Sequence, residues 1–245
     1  MANLSRVSLG AYVFTWLALL APAQPTSAAE TAAPRYTRIA ASPDGIGKLY
    51  FGREIAKVMS YHGAPWLERP ERAEEEQPEK VLAALDLAPG MTVADIGAGT
   101  GYYSWRIAQR IGANGTVYAV DIQPEMVEAL RWQMSRQKAA NVKALLGTAT
   151  DPGLPAGSLD LAIMVDVYHE LEFPYEMLTA IVRALKPGGR VAFVEFRAND
   201  PAVPIRPAHT MTEAQVRKEA AAQPLEWVKT VSDLPWQSVI VFRRK

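Results

Sequence analysis

The stretch Val93-Ala94-Asp95-Ile96-Gly97-Ala98-Gly99-Thr100-Gly101-Tyr102 runs from apolar residues into a turn with glycine at alternate positions. Glycine lets a backbone turn sharply and lie against a ligand with no Cβ in the way. A helix opening after such a turn offers unpaired N–H groups to a carboxylate or phosphate. Asp121 ends the next apolar run, where an open α/β sheet keeps an acid for ribose hydroxyls. The dinucleotide fingerprint G-x-G-x-x-G places its third glycine one residue later than this G-x-G-x-G. Asp95, two residues before the first glycine, would repel phosphates and attract an ammonium.

A second group follows the apolar run Leu159 to Val165. Asp166, Tyr168, His169 and Glu170 stand together there, and ligands of open α/β sheets bind beyond the carboxyl ends of the strands. His169 is the expected general base, Asp166 the acid that orients it, and Tyr168 a hydroxyl or a wall. His62 and His209 fall in segments that could cover the same edge. The three histidines match no metal-ligand spacing, and no metal site is expected. Arg197 and Arg206 are candidates for attracting an anion, and Trp66, Tyr102 and Tyr103 for walling a pocket. The acidic run Glu71 to Glu79 reads as a solvated face.

The elements that must position these groups alternate at βα spacing. Strands are expected at Thr92–Ile96, Thr116–Val120, Val142–Leu146, Leu159–Val165, Arg190–Phe196, Glu226–Val231 and Gln237–Phe242. Helices are expected from Pro78 to Leu87, Tyr102 to Ile111, Pro124 to about Lys138, and from Pro174 to Lys186. Thr212 and Gln215 form a capping box for a last helix to about Ala222. Pro43 to Met59 reads as a short helical or mixed cap. The expected architecture is α/β: a Rossmann-like, doubly wound, mostly parallel seven-stranded sheet with helices on both faces and an N-terminal cap.

Composition narrows the function. Lys plus Arg and Asp plus Glu both number 26, so no basic footprint for nucleic acid is present. The chain has no cysteine, which excludes disulfides, thiolate metal sites and cysteine nucleophiles, and argues against arsenite and other thiol-dependent substrates.

Val93 to Tyr102, Asp121 after Val117-Tyr118-Ala119-Val120, and Leu185-Lys186-Pro187-Gly188-Gly189-Arg190 resemble the class I S-adenosylmethionine (SAM)-dependent methyltransferases over roughly residues 78–196. The resemblance implies SAM as cofactor, with Asp95, Gly97, Gly99 and Gly101 on its methionine part and Asp121 on the ribose. It places Ile122 and Met126 against the adenine and Asp166 at the cofactor site. Gly147-Thr148-Ala149 falls where many members have Gly-Asp-Ala against the adenine amino group. Thr148 departs from that pattern, leaving the contact to Asp151 or to no acid. Trp66-Leu67-Glu68-Arg69-Pro70-Glu71-Arg72 and Val165-Asp166-Val167-Tyr168-His169-Glu170 are similar to a bacterial group of methyltransferase-domain proteins. The expected activity is methyl transfer to a small-molecule or lipid acceptor at oxygen or nitrogen. The alternatives are a SAM-binding sensor or partner protein without catalysis, and a NAD-type oxidoreductase, which the glycine spacing and Asp95 disfavour.

Residues 1–29 differ from the rest. Arg6 precedes an apolar run from Val7 to Ala21, then small residues to Ala29, with Ser27-Ala28-Ala29 and Ala21-Pro22-Ala23 as cleavage candidates. The run is short for a span of roughly 20 residues. The expected division is an export signal or membrane anchor over 1–29, a linker and cap over 30–77, and a SAM-binding domain over 78–245. The domain is then exported, periplasmic or secreted, or held at the inner membrane. SAM is made in the cytoplasm, so an uncleaved anchor with the domain inside is the arrangement that brings the two together. Terminal sequencing of the protein from a bacterial host should begin at Glu30 or Gln24; intact Met1 or Ala2 in a membrane fraction would favour the anchor.

Overall fold

Alternating apolar residues build a sheet with two packed faces. In the strand Leu159–Val165, Leu161 and Ile163 point to one side and Ala162 and Met164 to the other, all fully buried. The same alternation divides Val191 and Phe193 from Ala192 and Val194, the signature of a strand covered on both faces. The computed structural model describes residues 1–2 and 35–245. The expected signal or anchor therefore lies, save its first two residues, outside the described residues. Among the described residues no helix is long and apolar enough to cross a membrane.

From residue 35 the described chain forms a three-stranded antiparallel meander, β1 (Tyr36–Arg38), β2 (Gly45–Tyr50) and β3 (Arg53–Ala56). This corrects the expected helical or mixed cap over Pro43–Met59. Tyr50 pairs with Arg53 across a two-residue turn in which Phe51 has φ 49° and Gly52 φ 90°, the double positive φ of a hairpin connection. Short helices follow, α1 (Ala64–Leu67), α2 (Arg72–Glu76) and α3 (Pro78–Ala84), the last opened by proline at its first turn.

The main sheet then alternates with helices: β4 (Thr92–Ile96), α4 (Ser104–Ile111), β5 (Thr116–Asp121), α5 (Pro124–Arg136), β6 (Val142–Leu146), β7 (Leu159–Val165), α6 (Pro174–Ala184), β8 (Leu185–Phe196), α7 (Glu213–Ala220), β9 (Leu225–Val231) and β10 (Gln237–Arg244). Its order is β6-β5-β4-β7-β8-β10-β9, with β10 antiparallel to both its neighbours. The expected Rossmann-like, seven-stranded, mostly parallel sheet is thus the observed one. Side chains of α3 and α4 cover one face, and those of α6 and α7 the other. The Thr212 hydroxyl accepts the Gln215 N–H at 3.1 Å, capping α7 as the sequence predicts. Chain order reverses between β4 and β7, so loops leaving those two strands diverge and open a crevice.

The meander is fastened over that crevice by charge. Arg53 reaches from β3 to the fully buried Glu219 of α7, Nε to Oε1 at 2.8 Å and Nη2 to Oε2 at 2.9 Å. Its Nη1 donates to the His169 carbonyl at 3.0 Å. Arg53→Ala would leave the Glu219 charge buried and unpaired, a loss of roughly 3–5 kcal/mol. Urea denaturation should show that loss, and Arg53→Met combined with Glu219→Gln should recover part of it; an unchanged midpoint in Arg53→Ala would show that the pair does not fasten the cap.

Candidate functional site

The turn after β4 places Gly97, Gly99 and Gly101 at φ 69°, 54° and 88°, a region costly for residues with a Cβ. Gly97 and Gly99 line the crevice, a cleft of about 670 Å³. A Cβ on Gly97 would come within 2.6 Å of both Val167 methyls, and one on Gly99 within 2.6 Å of Leu67 Cδ1. Gly101 faces away: its Cβ would meet Leu130 Cδ1 at 2.4 Å and Met134 Cε at 2.6 Å, so this glycine seats the turn against α5.

The turn is held from β5. The Gly97 and Ala98 N–H groups donate to the Val120 carbonyl at 2.8 and 2.9 Å. The Asp121 carboxylate accepts the Gly99 N–H on Oδ2 and the Gln123 N–H on Oδ1, both at 2.9 Å. Asp121 lines the cleft, and burial pushes its carboxyl above the usual range against those backbone bonds. Beside it, Ile122 and Met126 line the same wall, as do Thr148 and Ala149 beyond β6. Thr148 Oγ1 accepts the Asp151 N–H at 3.0 Å, and Asp151 Oδ2 accepts from Arg183 at 2.8 Å. Asp151 is thereby committed to Arg183, and Thr148 and Ala149 bring no acid to the cleft.

Asp95 stands one layer behind the turn. Its Oδ2 accepts the Ser104 hydroxyl at 2.6 Å, its carboxyl is 3% exposed, and burial raises its pKa to about 6. Asp166 does reach the cleft, in a left-handed conformation at φ 53°. Gln237 Nε2 donates to its Oδ2 at 2.6 Å, while its buried Oδ1 has no hydrogen-bond partner. Burial, then Glu76 and Glu195, push this carboxyl well above the usual range. The unpartnered oxygen marks a place for a donor from a ligand.

The expected pairing of Asp166 with His169 is not made. Glu195, near the end of β8, holds the ring instead: its Oε2 lies 2.6 Å from His169 Nδ1 and its Oε1 accepts the Tyr168 N–H at 3.0 Å. Both Glu195 and His169 are buried. The sequence signal for Glu195 was an acid at the carboxyl end of an otherwise apolar strand. Tyr168 is fully buried, its ring edge-on to Phe193 at 4.8 Å, so it supplies no hydroxyl to the cleft. His169, Glu170 and His209 meet at one edge of the cleft, whereas His62 is exposed and stacks on Tyr61.

The acidic run is not wholly solvated. Glu76 is 1% exposed and receives Arg72 Nε at 2.8 Å and Arg69 Nη2 at 2.9 Å, and Arg72 and Glu76 both line the cleft. Trp66 lines it, whereas Tyr102 and Tyr103 are buried under α2. Arg206 stands at the rim, paired with Asp44 at 2.6 Å, and Arg197 is spent on Asp200 and on the carbonyls of Leu234, Pro235 and Gln237. A strap between β3 and α1 crosses the mouth. Glu170 Oε2 accepts the Met59 N–H at 3.1 Å, and Gln123 both donates to the Met59 carbonyl at 2.9 Å and accepts the Tyr61 N–H at 2.8 Å.

Comparison with known proteins points one way. Residues 87–237 match a family described as a methyltransferase domain. The chain is 34% identical over 113 residues to an arsenite methyltransferase of Halobacterium salinarum, covering 46% of this chain and 28% of the relative. It is 30% identical over 115 residues to the nocamycin O-methyltransferase of Saccharothrix syringae, covering 46% and 40%. In both cases the matched part spans less than half of the relative's own length. A SAM-dependent methyltransferase from Aquifex aeolicus superposes with a TM-score of 0.73 at 26% identity, covering 77% of this chain and all of that one.

Asp95 generates a pH dependence. A carboxyl raised from 3.8 to about 6 in the folded state binds its proton more tightly there than when unfolded. Its stabilising contribution is complete below the unfolded pKa and is lost as pH rises through about 6, on the order of 3 kcal/mol in all. Asp95→Asn keeps an acceptor for Ser104 without the charge. Urea unfolding should show this variant gaining on the parent between pH 4 and pH 7; a constant difference would place Asp95 in contact with a compensating charge.

Proposed function

This chain belongs to the class I SAM-dependent methyltransferases, and from that premise we propose that it transfers the methyl group of SAM to a hydroxyl or amine of a small-molecule or lipid acceptor held in the cleft. The observation that carries the reading is a turn whose cleft-lining residues Gly97 and Gly99 carry no side chain, with Asp121 fastened to it, at the point where strand order reverses. The residues fit the cofactor. The backbone of Gly97 and Gly99 leaves room for the methionine part, and the free Oδ1 of Asp166 suits its ammonium. Each Asp121 oxygen accepts one backbone N–H and keeps a lone pair for a ribose hydroxyl. Ile122 and Met126 supply apolar faces for the adenine, with Thr148 and Ala149 at its edge. Asp95 and Gly101 support the turn from behind.

SAM brings a methyl group already activated on a sulfonium. What remains for the protein is alignment, exclusion of water and removal of the acceptor's proton. Apolar side chains such as Ile46, Val58, Leu171 and Phe196 line the far part of the cleft and suit an acceptor with an apolar body. The acceptor's proton is removed at the edge formed by His169, Glu170 and His209, with His169 oriented by Glu195. Arg206 at the rim suits an anionic substituent. Zero net charge argues against a nucleic-acid acceptor, and the apolar run at the N-terminus supports export or anchoring of the domain.

Transfer of label from methyl-labelled SAM to a panel of apolar hydroxyl and amine acceptors tests the reading on the full chain. In Asp121→Ala, loss of a charged hydrogen-bond acceptor worth about 1.5–3 kcal/mol should raise the KM for SAM roughly 10- to 150-fold. An unchanged KM, or no transfer to any acceptor by a chain that binds SAM, would overturn it.

A further inference from the structure

At the inner edge of the cleft three side-chain atoms converge. His169 Nε2 lies 3.3 Å from His209 Nδ1, which lies 3.1 Å from Glu170 Oε1, and the third side of the triangle, His169 Nε2 to Glu170 Oε1, is 3.8 Å. A tetrahedral ion with ligand bonds of about 2.1 Å holds its ligand atoms about 3.4 Å apart. The three separations scatter around that value.

The hydrogen-bond inventory leaves the cluster one donor short. His169 directs Nδ1 at the Glu195 carboxylate at 2.6 Å, which assigns a ring proton to Nδ1 and turns Nε2 toward the cluster. Glu170 Oε1 is an acceptor. His209 Nδ1 has at most one proton to divide between them, and with its proton on Nε2 it presents a lone pair. A cation at the centre serves all three atoms at once.

The surroundings are those of a built site. Metal-bound histidines pass their other ring N–H to a carboxylate or carbonyl, as His169 does with Glu195 at 2.6 Å. Glu170 is aimed by its other oxygen, which accepts the Met59 N–H at 3.1 Å. His209 is presented by a single 3-10 turn, Pro207–His209, closed by its own N–H on the Arg206 carbonyl at 2.9 Å. All three residues line the cleft, so a fourth ligand position opens toward the acceptor.

We propose that His169, Glu170 and His209 bind one divalent transition-metal ion of the zinc type, whose open position takes a hydroxyl or carboxylate oxygen of the methyl acceptor. Two imidazoles and one carboxylate suit Zn²⁺ and disfavour Mg²⁺, which seeks six oxygens. The proposal departs from the expectation of no metal, which rested on spacing along the chain; the fold brings residue 209 beside residues 169 and 170. The use of the ion in methyl transfer rests on the function proposed above, whereas its binding does not. An acceptor hydroxyl bound at the ion loses its proton to solvent at lower pH than a free one. It then forms the new bond to the methyl carbon as the sulfonium–carbon bond breaks.

Calorimetric titration of the chelator-treated full chain with ZnCl₂ and with MgCl₂ tests the site directly. One equivalent of Zn²⁺ should bind, with no detectable Mg²⁺ binding, and should raise the melting temperature. His209→Ala and Glu170→Gln, both at partly exposed positions, should lose Zn²⁺ binding and the thermal shift while still binding SAM; Glu195→Gln should weaken Zn²⁺ about 10–100-fold, and His62→Ala should leave it unchanged. No Zn²⁺ binding by the parent chain, or parent-like binding by His209→Ala, would show that the three atoms share a proton instead. Either result would leave SAM binding standing, and loss of SAM binding with Zn²⁺ retained would sink the methyltransferase reading alone.

Discussion

One carboxylate fixes the geometry on which the cleft depends. Asp121 accepts an N–H from the glycine turn on one oxygen and an N–H from the loop after β5 on the other, both at 2.9 Å. The loops that leave the neighbouring strands β4 and β5 are thereby locked to each other beside the point where strand order reverses. Gln123, placed by that second bond, in turn grips the strap at Met59 and Tyr61. Floor, wall and partial roof follow from the one acid, which itself lines the cleft. A group that positions backbone and faces ligand at once is pre-organised, which limits the ordering cost that binding must meet.

The opposite side of the cleft concentrates buried charge. Glu76 with Arg69 and Arg72, Arg53 with Glu219, and His169 with Glu195 are each taken out of water with a partner at 2.6–2.9 Å. Desolvation makes such pairs poor sources of stability, and apolar residues of the same shape would often do as well. Their distribution is therefore informative: the first two include residues of the N-terminal cap, and Arg72, Glu76 and His169 line the cleft. Asp166 lies among them with an oxygen left unpartnered. A protein that keeps so many acids near one cavity, with carboxyls raised by burial at Asp95, Asp121 and Asp166, is arranged for ligand chemistry at that place.

The main sheet was legible because most of its strands are apolar runs and most of its helices carry their own start or stop. Pro124 and Pro174 open α5 and α6, and Thr212 caps α7. The glycine turn and Asp121 were legible because their roles are local, a backbone conformation and a strand end. The meander was not: β2 contains Gly45 and Gly47, and its identity as a strand depends on pairing with β1 and β3 and on the Phe51-Gly52 turn. Partners set by the fold were also out of reach. Glu195 is 26 residues from His169 and Gln237 is 71 from Asp166, and no spacing rule joins them. The acidic run misled because charge patterning cannot distinguish the outward Glu74 from the buried Glu76. Distance along the chain likewise concealed the meeting of His209 with His169 and Glu170.

The central claim is that the glycine turn and its clamping acid form a site for a sulfonium cofactor bearing an ammonium, and not for a dinucleotide. Calorimetric titration of the unaltered full chain with SAM and, separately, with NADH tests it most directly. The structure predicts saturable binding of SAM with one site per chain, and no measurable heat from NADH under the same conditions. Tighter binding of NADH than of SAM, or no binding of SAM at all, would contradict the account.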